Sequence, residues 1–431
     1  MVLAGQERPV LAVAGEHPPL TGRGIPAALG HVFTCPGRSS NSSPFTSPSR
    51  GDLAPHARVG CGIGRYAPRI TAPPSIRCSV PALTDVHPCA PLRRSYVHTG
   101  GMRARAPGRV NLIGDHTDYT GGFAMPAAID RGTEVEIEIG GDWVELVSDV
   151  EPEAARVPVD VEDPGAVQPP WARYVAGVVA VVRPRMGGRG AVCTTLPVGA
   201  GLSSSAALEV ALALALGFEG TPLELALAGQ RSEHLASGVP SGMMDQLASV
   251  SGRAGHALLI DCSSYEVEPV PMPDGVDILV VHSGQSRTLV GSAYSERRGQ
   301  CEAAAQLIGP LRDAVLADAD GLADPVLRKR ARHVVTENER VLAFAEALRG
   351  GDIPAAGRLM VQSHESLRDD FEVSTTALDD LVDKLVTTPG VYGARLTGAG
   401  FGGCVVALAE PSSPAAGWRL SAADGASVLA G

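Results

Sequence analysis

Apolar residues alternate with polar ones, or gather in short β-branched runs, at 110–113, 135–139, 191–196, 257–260, 278–281 and 404–408. That two-residue period predicts strands, and the last few runs are too short and too β-branched for helices. Between them, apolar positions recur at helical spacing over 203–216, 222–237, 292–307 and 326–348, predicting helices. Thr221, Pro222 and Glu224 supply a helix start: a capping hydroxyl, Pro at the first position and an acid in the first turn. His364 and Glu365 fall on the polar face of a further amphipathic segment. The Pro-rich stretch 267–275 is the candidate domain junction. The pattern from Met102 onward is mixed α and β, without an internal repeat.

Upstream of Met102 the pattern dissolves. Residues 1–101 hold 10 Arg, no Lys and 4 acidic residues, with 14 of the chain's 34 Pro and 4 of its 8 Cys. They carry about +6, which leaves −17 for 102–431 out of the total of −11. No apolar period is sustained, so 1–101 reads as a disordered extension. Three explanations stand open: a translation start set too far upstream, a targeting or regulatory tail, or a small disulfide module. Cys193, Cys262, Cys301 and Cys404 lie singly in apolar surroundings and read as buried thiols of a reducing cytoplasm. The net charge argues against a duplex nucleic-acid partner, and no apolar run approaches the roughly 20 residues that cross a bilayer. With 431 residues, 44% of them hydrophobic, the chain is long enough for two to three domains at roughly 150 residues each.

Three segments carry candidate chemistry. Leu196-Pro-Val-Gly-Ala-Gly-Leu-Ser-Ser-Ser-Ala-Ala-Leu joins a strand end to a glycine turn and an apolar helix. Small residues let backbone wrap an anion, the helix start offers free N–H groups, and three hydroxyls can bind phosphate oxygens or a hard cation. An ordinary Ser-capped buried helix is the plainer alternative. No Walker A loop is present, because neither of the two lysines, Lys329 and Lys384, follows a Gly. Gly398-Ala-Gly-Phe-Gly-Gly formally matches G-x-G-x-x-G, but a strand pattern follows it, so it reads as a glycine loop between two strands. Arg105-Ala-Pro-Gly-Arg-Val-Asn-Leu-Ile-Gly-Asp-His-Thr-Asp-Tyr-Thr-Gly-Gly places Arg109, Asp115, His116 and Asp118 near one loop. These groups suit a hydroxyl-rich ligand such as a sugar. A metal site and a plain Asp-stabilised turn are the rivals.

Together the three segments resemble the signature motifs of the GHMP small-molecule kinases, and the first is similar to the galactokinase signature. Trp171-Ala-Arg-Tyr, Gly242-Met-Met-Asp-Gln, Arg287-Thr-Leu-Val-Gly-Ser-Ala-Tyr-Ser-Glu-Arg-Arg and Thr336-Glu-Asn-Glu extend the resemblance over 103–431. It implies an α+β, two-domain fold, 102–270 and 271–431, with the active site in the cleft between them. It also implies a cytoplasmic sugar 1-kinase acting on galactose, with ATP and Mg²⁺; a kinase for another sugar such as N-acetylgalactosamine, or a silent galactose sensor, are the alternatives. A monomer is the default expectation. By the resemblance, Arg109, Asp115, His116, Asp118, Asp245 and Tyr294 face the sugar or the transferring phosphoryl group. Gly199, Ala200, Gly201, Leu202, Ser203, Ser204 and Ser205 hold the ATP phosphates, and Ser205 and Glu233 hold Mg²⁺. Asp245 accepts the proton of the attacking hydroxyl, with Arg109 offsetting phosphoryl charge. Relatives usually carry Glu at Asp115, Gly at Ala200 and Cys at Ser241.

Overall fold

Two sheets organise the chain. In the first, β1 (Met102–Ile113), β2 (Phe123–Ile139), β3 (Trp143–Ser148), β4 (Ala155–Pro158), β5 (Gly188–Thr194) and β12 (Ser427–Leu429) run in the order β12-β1-β2-β5-β3-β4. From β2 a ribbon of β6 (His256–Asp261) and β7 (Glu266–Pro271) branches off. Pairing is antiparallel except between β3 and β5. The second sheet is an antiparallel β11-β8-β10-β9, built from β8 (Asp277–His282), β9 (Val391–Thr397), β10 (Cys404–Ala409) and β11 (Trp418–Leu420). The computed structural model describes residues 101–430 apart from 198 and 286–289, so the expectation for 1–101 lies outside the described residues save Gly101.

Helices α1 (Ala172–Val182), α2 (Ser204–Ala215), α3 (Pro222–Ser237) and α4 (Met244–Ser251) belong with the first sheet. Nearly every residue of α2 after Ser205 is buried, which explains an apolar helix without a polar stripe: it is enclosed by β1, β2 and the neighbouring helices. Val135, Ile137, Val144 and Leu146 of the sheet meet Val175, Val179, Val210 and Leu212 across this core. The second sheet packs with α5 (Val290–Ile308), α6 (Leu316–Asp320), α7 (Pro325–Arg349), α8 (Ile353–Asp369) and α9 (Thr376–Val386). A further core joins both sheets, with Leu112, Ile113 and Met125 from the first, Val280 and Val406 from the second, and Phe344 and Met360 from α7 and α8. Burial of this kind at about 25 cal/mol per Å² fixes how β1 and β9 lie together.

Most expected elements are present, and α3 begins on the expected capping box: the Thr221 hydroxyl accepts from Glu224 N–H, and the Glu224 carboxylate accepts from Thr221 N–H at 2.7 Å. The structure refines two readings. The Pro-rich stretch 267–275 opens inside β7, and because β7 pairs only with β6, Pro269 and Pro271 sit on an edge strand where a missing N–H costs nothing. His364 is buried on α8, accepting from Leu396 N–H, whereas Glu365 is exposed as expected.

Helix α8 reaches β9 through a glycine-to-glycine contact. A Cβ on Gly357 would lie 2.1 Å from the Tyr392 carbonyl oxygen, and one on Gly393 would lie 2.1 Å from that of Gly357. Gly357→Ala therefore sets a helix-propensity gain of about 1 kcal/mol against an overpacking cost of about 1–3 kcal/mol. Backbone cannot swing aside as a side-chain tip can, so we expect a net loss, read as a lower urea midpoint; a raised midpoint contradicts this packing.

Candidate active site

Arg109 leaves β1 at a register shift in its pairing with β2 and points into the fold, only 5% exposed. Its Nη2 lies 2.5 Å from Asp245 Oδ1 on α4, and its Nη1 donates to the Gly201 carbonyl at 2.8 Å. Its backbone N–H donates to the Leu202 carbonyl at 3.2 Å. One residue of the first motif thus holds the second motif's turn and the Met-Met-Asp-Gln segment together.

The turn itself is shaped for close approach. Gly199 and Gly201 have φ of 75° and 80°, while Ala200 and Leu202 are buried and anchor it. Ser203 is the N-cap residue of α2, yet it sits at φ 58°, unusual for a non-glycine residue, and its side chain caps nothing. Its hydroxyl instead donates to Asp245 Oδ2 at 2.6 Å. The Ser-capped-helix alternative therefore fails for Ser203, and the first N–H groups of α2 remain without a side-chain cap. Ser204 and Ser205 are half-buried beside them.

Ser205 stands beside the Glu233 carboxyl group of α3, and Glu233 meets Glu209, one helical turn behind Ser205 on α2. Glu209 is fully buried, with Gln246 Nε2 3.3 Å from its Oε2 and no hydrogen-bond partner for its Oε1. Burial holds both carboxyl groups above the usual range. Glu209 was not singled out in the sequence; its spacing of four from Ser205 is the signal that places both on one helix face.

The residues expected to face a sugar form an aromatic corner. His116, at φ 66°, stacks on Phe371 and Tyr294 with ring centroids 4.6 and 5.6 Å away. Burial pushes its pKa down to about 3, so the ring is neutral. Only Nε2 can then donate to the Ala399 carbonyl at 3.3 Å, and Nδ1 accepts from the Tyr119 hydroxyl at 3.0 Å. The Tyr294 ring stands 5.3 Å from that of Tyr119, centroid to centroid, and its hydroxyl lies by the Gly242 backbone. Asp118 packs on that glycine: a Cβ on Gly242 would fall 1.9 Å from Asp118 Oδ2. Burial, and next the Asp245 charge, push the Asp118 carboxyl up to about 7. Asp115 is turned inward, 1% exposed, with Gly398 N–H donating to Oδ1 at 3.0 Å and Arg395 Nη2 2.7 Å from Oδ2.

Beneath the loop, the Thr336-Glu-Asn-Glu segment acquires a role the sequence did not reveal. Glu337 accepts from Gly114 N–H at 3.0 Å and Asn338 from Phe123 N–H at 2.9 Å, so α7 satisfies donors at both ends of the first motif's turn. His333 of the same helix, kept neutral by burial with a pKa of about 4, donates from Nε2 to the Asp115 carbonyl at 3.1 Å.

A family model described as the galactokinase galactose-binding signature matches residues 93–138, and GHMP kinase N-terminal and C-terminal domain models match 173–253 and 344–419. A galactokinase from Chloroflexus aggregans is 44% identical over 330 residues, covering 71% of this chain and 83% of that one. The chain belongs to the galactokinase family. The crystal structure of Lactococcus lactis galactokinase complexed with galactose superposes with a TM-score of 0.70 at 31% identity, covering 76% of this chain and 95% of that one. Methanococcus jannaschii mevalonate kinase shares the fold, with a TM-score of 0.57 at 18% identity over 76% of this chain and all of its own. The fold is thus the two-part GHMP kinase fold. The signature match begins nine residues upstream of Met102, so likeness to the galactokinase family reaches into the segment that the sequence pattern assigned to the extension.

The raised Asp118 carboxyl generates a pH prediction. Its proton is held more tightly in the folded state than in the unfolded chain, so its contribution to stability is present below the ordinary value of 3.8 and is lost as pH rises to about 7. Asp118→Asn removes this dependence. We expect urea unfolding to show the Asn variant gaining on the wild type from pH 4 to pH 7, then running parallel; parallel curves throughout would contradict the assignment.

Proposed function

We propose that the protein transfers the γ-phosphoryl group of ATP to the 1-hydroxyl of galactose, in the cleft lined by Arg109, the Gly199–Ser205 turn and Asp245. The observation that carries this reading is the convergence on Asp245: an arginine from the first motif and a serine from the second meet its two oxygens. The 1-hydroxyl oxygen forms a bond to the γ-phosphorus, the bond to the β-phosphate bridging oxygen breaks, and ADP leaves. The hydroxyl proton goes to Asp245, whose Oδ2 can accept from the sugar alongside Ser203, since a carboxylate oxygen has two lone pairs. Arg109 is placed to stabilise charge on the equatorial oxygens. The uncapped start of α2, with Ser203, Ser204 and Ser205, suits the ATP phosphates through N–H groups and hydroxyls. Of the two lysines, Lys329 is paired with Glu372 and Lys384 sits in the last turn of α9, and among the described residues neither contacts the turn.

The residues also fit a divalent cation. Ser205 and Glu233 offer hard oxygen donors, and Glu209 stands beside them with one buried oxygen lacking a hydrogen-bond partner and its carboxyl group pushed upward by burial and by the Glu233 charge, a crowding that a cation would relieve. Mg²⁺ bound there would neutralise charge shared by the β- and γ-phosphates. On the sugar side, Asp118, His116 and Tyr294 line the corner that galactose would enter, and the neutral His116 is held in one orientation by Ala399 and Tyr119. Cys193, Cys262, Cys301 and Cys404 are buried, in keeping with a reducing cytoplasm.

An ADP-release assay on the full chain with Mg²⁺·ATP and a panel of hexoses tests the reading. Turnover with galactose is expected, and turnover confined to N-acetylgalactosamine or another sugar would overturn the substrate. Asp245→Asn is expected to lower kcat by about 10²–10⁴-fold; undiminished turnover would remove Asp245 from the chemistry. Glu233→Gln should raise the Mg²⁺ concentration needed for half-maximal rate while leaving the galactose KM in place.

A further inference from the structure

We propose that Asp115 does not touch the sugar but is a positioning residue, a clamp that fastens the Gly398–Gly403 loop to the turn bearing His116 and Asp118. The proposal rests on the galactose reading above and changes the part that this position plays in it.

The geometry leaves the Asp115 carboxylate little freedom. Oδ1 takes the Gly398 N–H, Oδ2 faces Arg395, and the residue's own carbonyl takes His333. Arg395 is the largest fully buried side chain among the described residues. Its guanidinium makes no well-aligned hydrogen bond, and after Asp115 the next carboxylate oxygen, on Glu337, is 3.9 Å from Nη2. Glu337 is already committed to Gly114 N–H, the Ser363 hydroxyl and Arg340. A sugar hydroxyl that drew Asp115 outward would therefore leave a fully enclosed cation without its nearest counter-charge, a far larger loss than one hydroxyl contact returns.

The clamp belongs to a seam that runs between the first and third motifs. Thr397 Oγ1 donates to the Asn111 carbonyl at 2.9 Å, Gly398 N–H to Asp115, and His116 Nε2 to Ala399. On its other side the glycine loop is tied to Val373 and Gln285 by Phe401 N–H and Gly403 N–H. Asp115 is the seam's charged member. Through it, the strand that carries Arg395 sets where the backbone of residues 115–116 lies, and hence where His116 and Asp118 stand. The carboxylate of an aspartate at this position reads the loop, and the neighbouring side chains are left to read the ligand.

The test is a cycle between protein and ligand. Asp115→Asn, Arg395→Met and the double variant of the full chain are assayed with galactose and with its 2-, 3-, 4- and 6-deoxy analogues. A clamp predicts a KM raised by about tenfold or more through misplacement of the binding groups, with kcat changed less. The factor should be the same for every sugar and in both single variants, and no greater in the double variant. A direct contact predicts instead that one deoxy analogue, already lacking the hydroxyl, is indifferent to Asp115→Asn while the other sugars suffer; that result overturns the proposal. So does an unchanged KM accompanied only by a lower melting temperature. Should Asp115→Asn fail to fold, the double variant, which buries no unpaired charge, carries the same comparison. Melting temperatures of the four proteins must also show strong non-additivity, and additive shifts would refute the clamp. That arm is independent of turnover, so a failure of the galactose assignment is distinguishable from a failure of the clamp.

Discussion

The pairing of Arg109 with Asp245 is the constraint on which the rest of the site depends. A guanidinium this deep in a protein must be matched, because a buried charge left without its partner is strongly destabilising. Matching it here recruits three groups from two stretches of chain: the carboxylate of α4 and the adjacent carbonyls of Gly201 and Leu202. The left-handed backbone at Ser203 follows from the same point, since its hydroxyl is turned onto Asp245 instead of capping its own helix. Backbone strain retained where a side chain is re-aimed is a mark of function, and the carboxylate it is aimed at is the proposed base.

Around this pair the two sheets divide the labour. The first supplies Arg109 and the enclosed helix α2, whose start is the proposed seat of the phosphates. The second supplies Arg395 and the glycine loop, and its helix α7 satisfies backbone donors of the first motif from beneath. Two titratable rings, His116 and His333, are kept neutral by burial, so each works as a fixed donor and acceptor. Three carboxyl groups, Asp118, Glu209 and Glu233, are pushed upward by the same burial. Such a concentration of perturbed groups is characteristic of functional sites.

Much of this was legible in the sequence because short-range rules govern it. The capping box of α3 and the strand β10 follow from local pattern, and the motif segments named Arg109, Ser203 and Asp245 through their likeness to a family. What was hidden depends on contacts between segments far apart in the chain. Glu337 and Gly114 are 223 residues apart, and Asp115 and Gly398 are 283 apart. No period or spacing announces such pairs. For the same reason the sequence showed Asp115 only by analogy, as a ligand contact, and left the buried Arg395 beside it unremarked. β7 was missed because its prolines argue against a strand everywhere except at an edge.

A crystal structure of the full chain with galactose, Mg²⁺ and a non-hydrolysable ATP analogue tests the central claim most directly. The account predicts the sugar's 1-hydroxyl within hydrogen-bond reach of Asp245, Arg109 beside the terminal phosphoryl group, and the phosphates seated on the start of α2. Galactose bound with its 1-hydroxyl directed away from Asp245, or phosphates seated away from Ser203–Ser205, would contradict it.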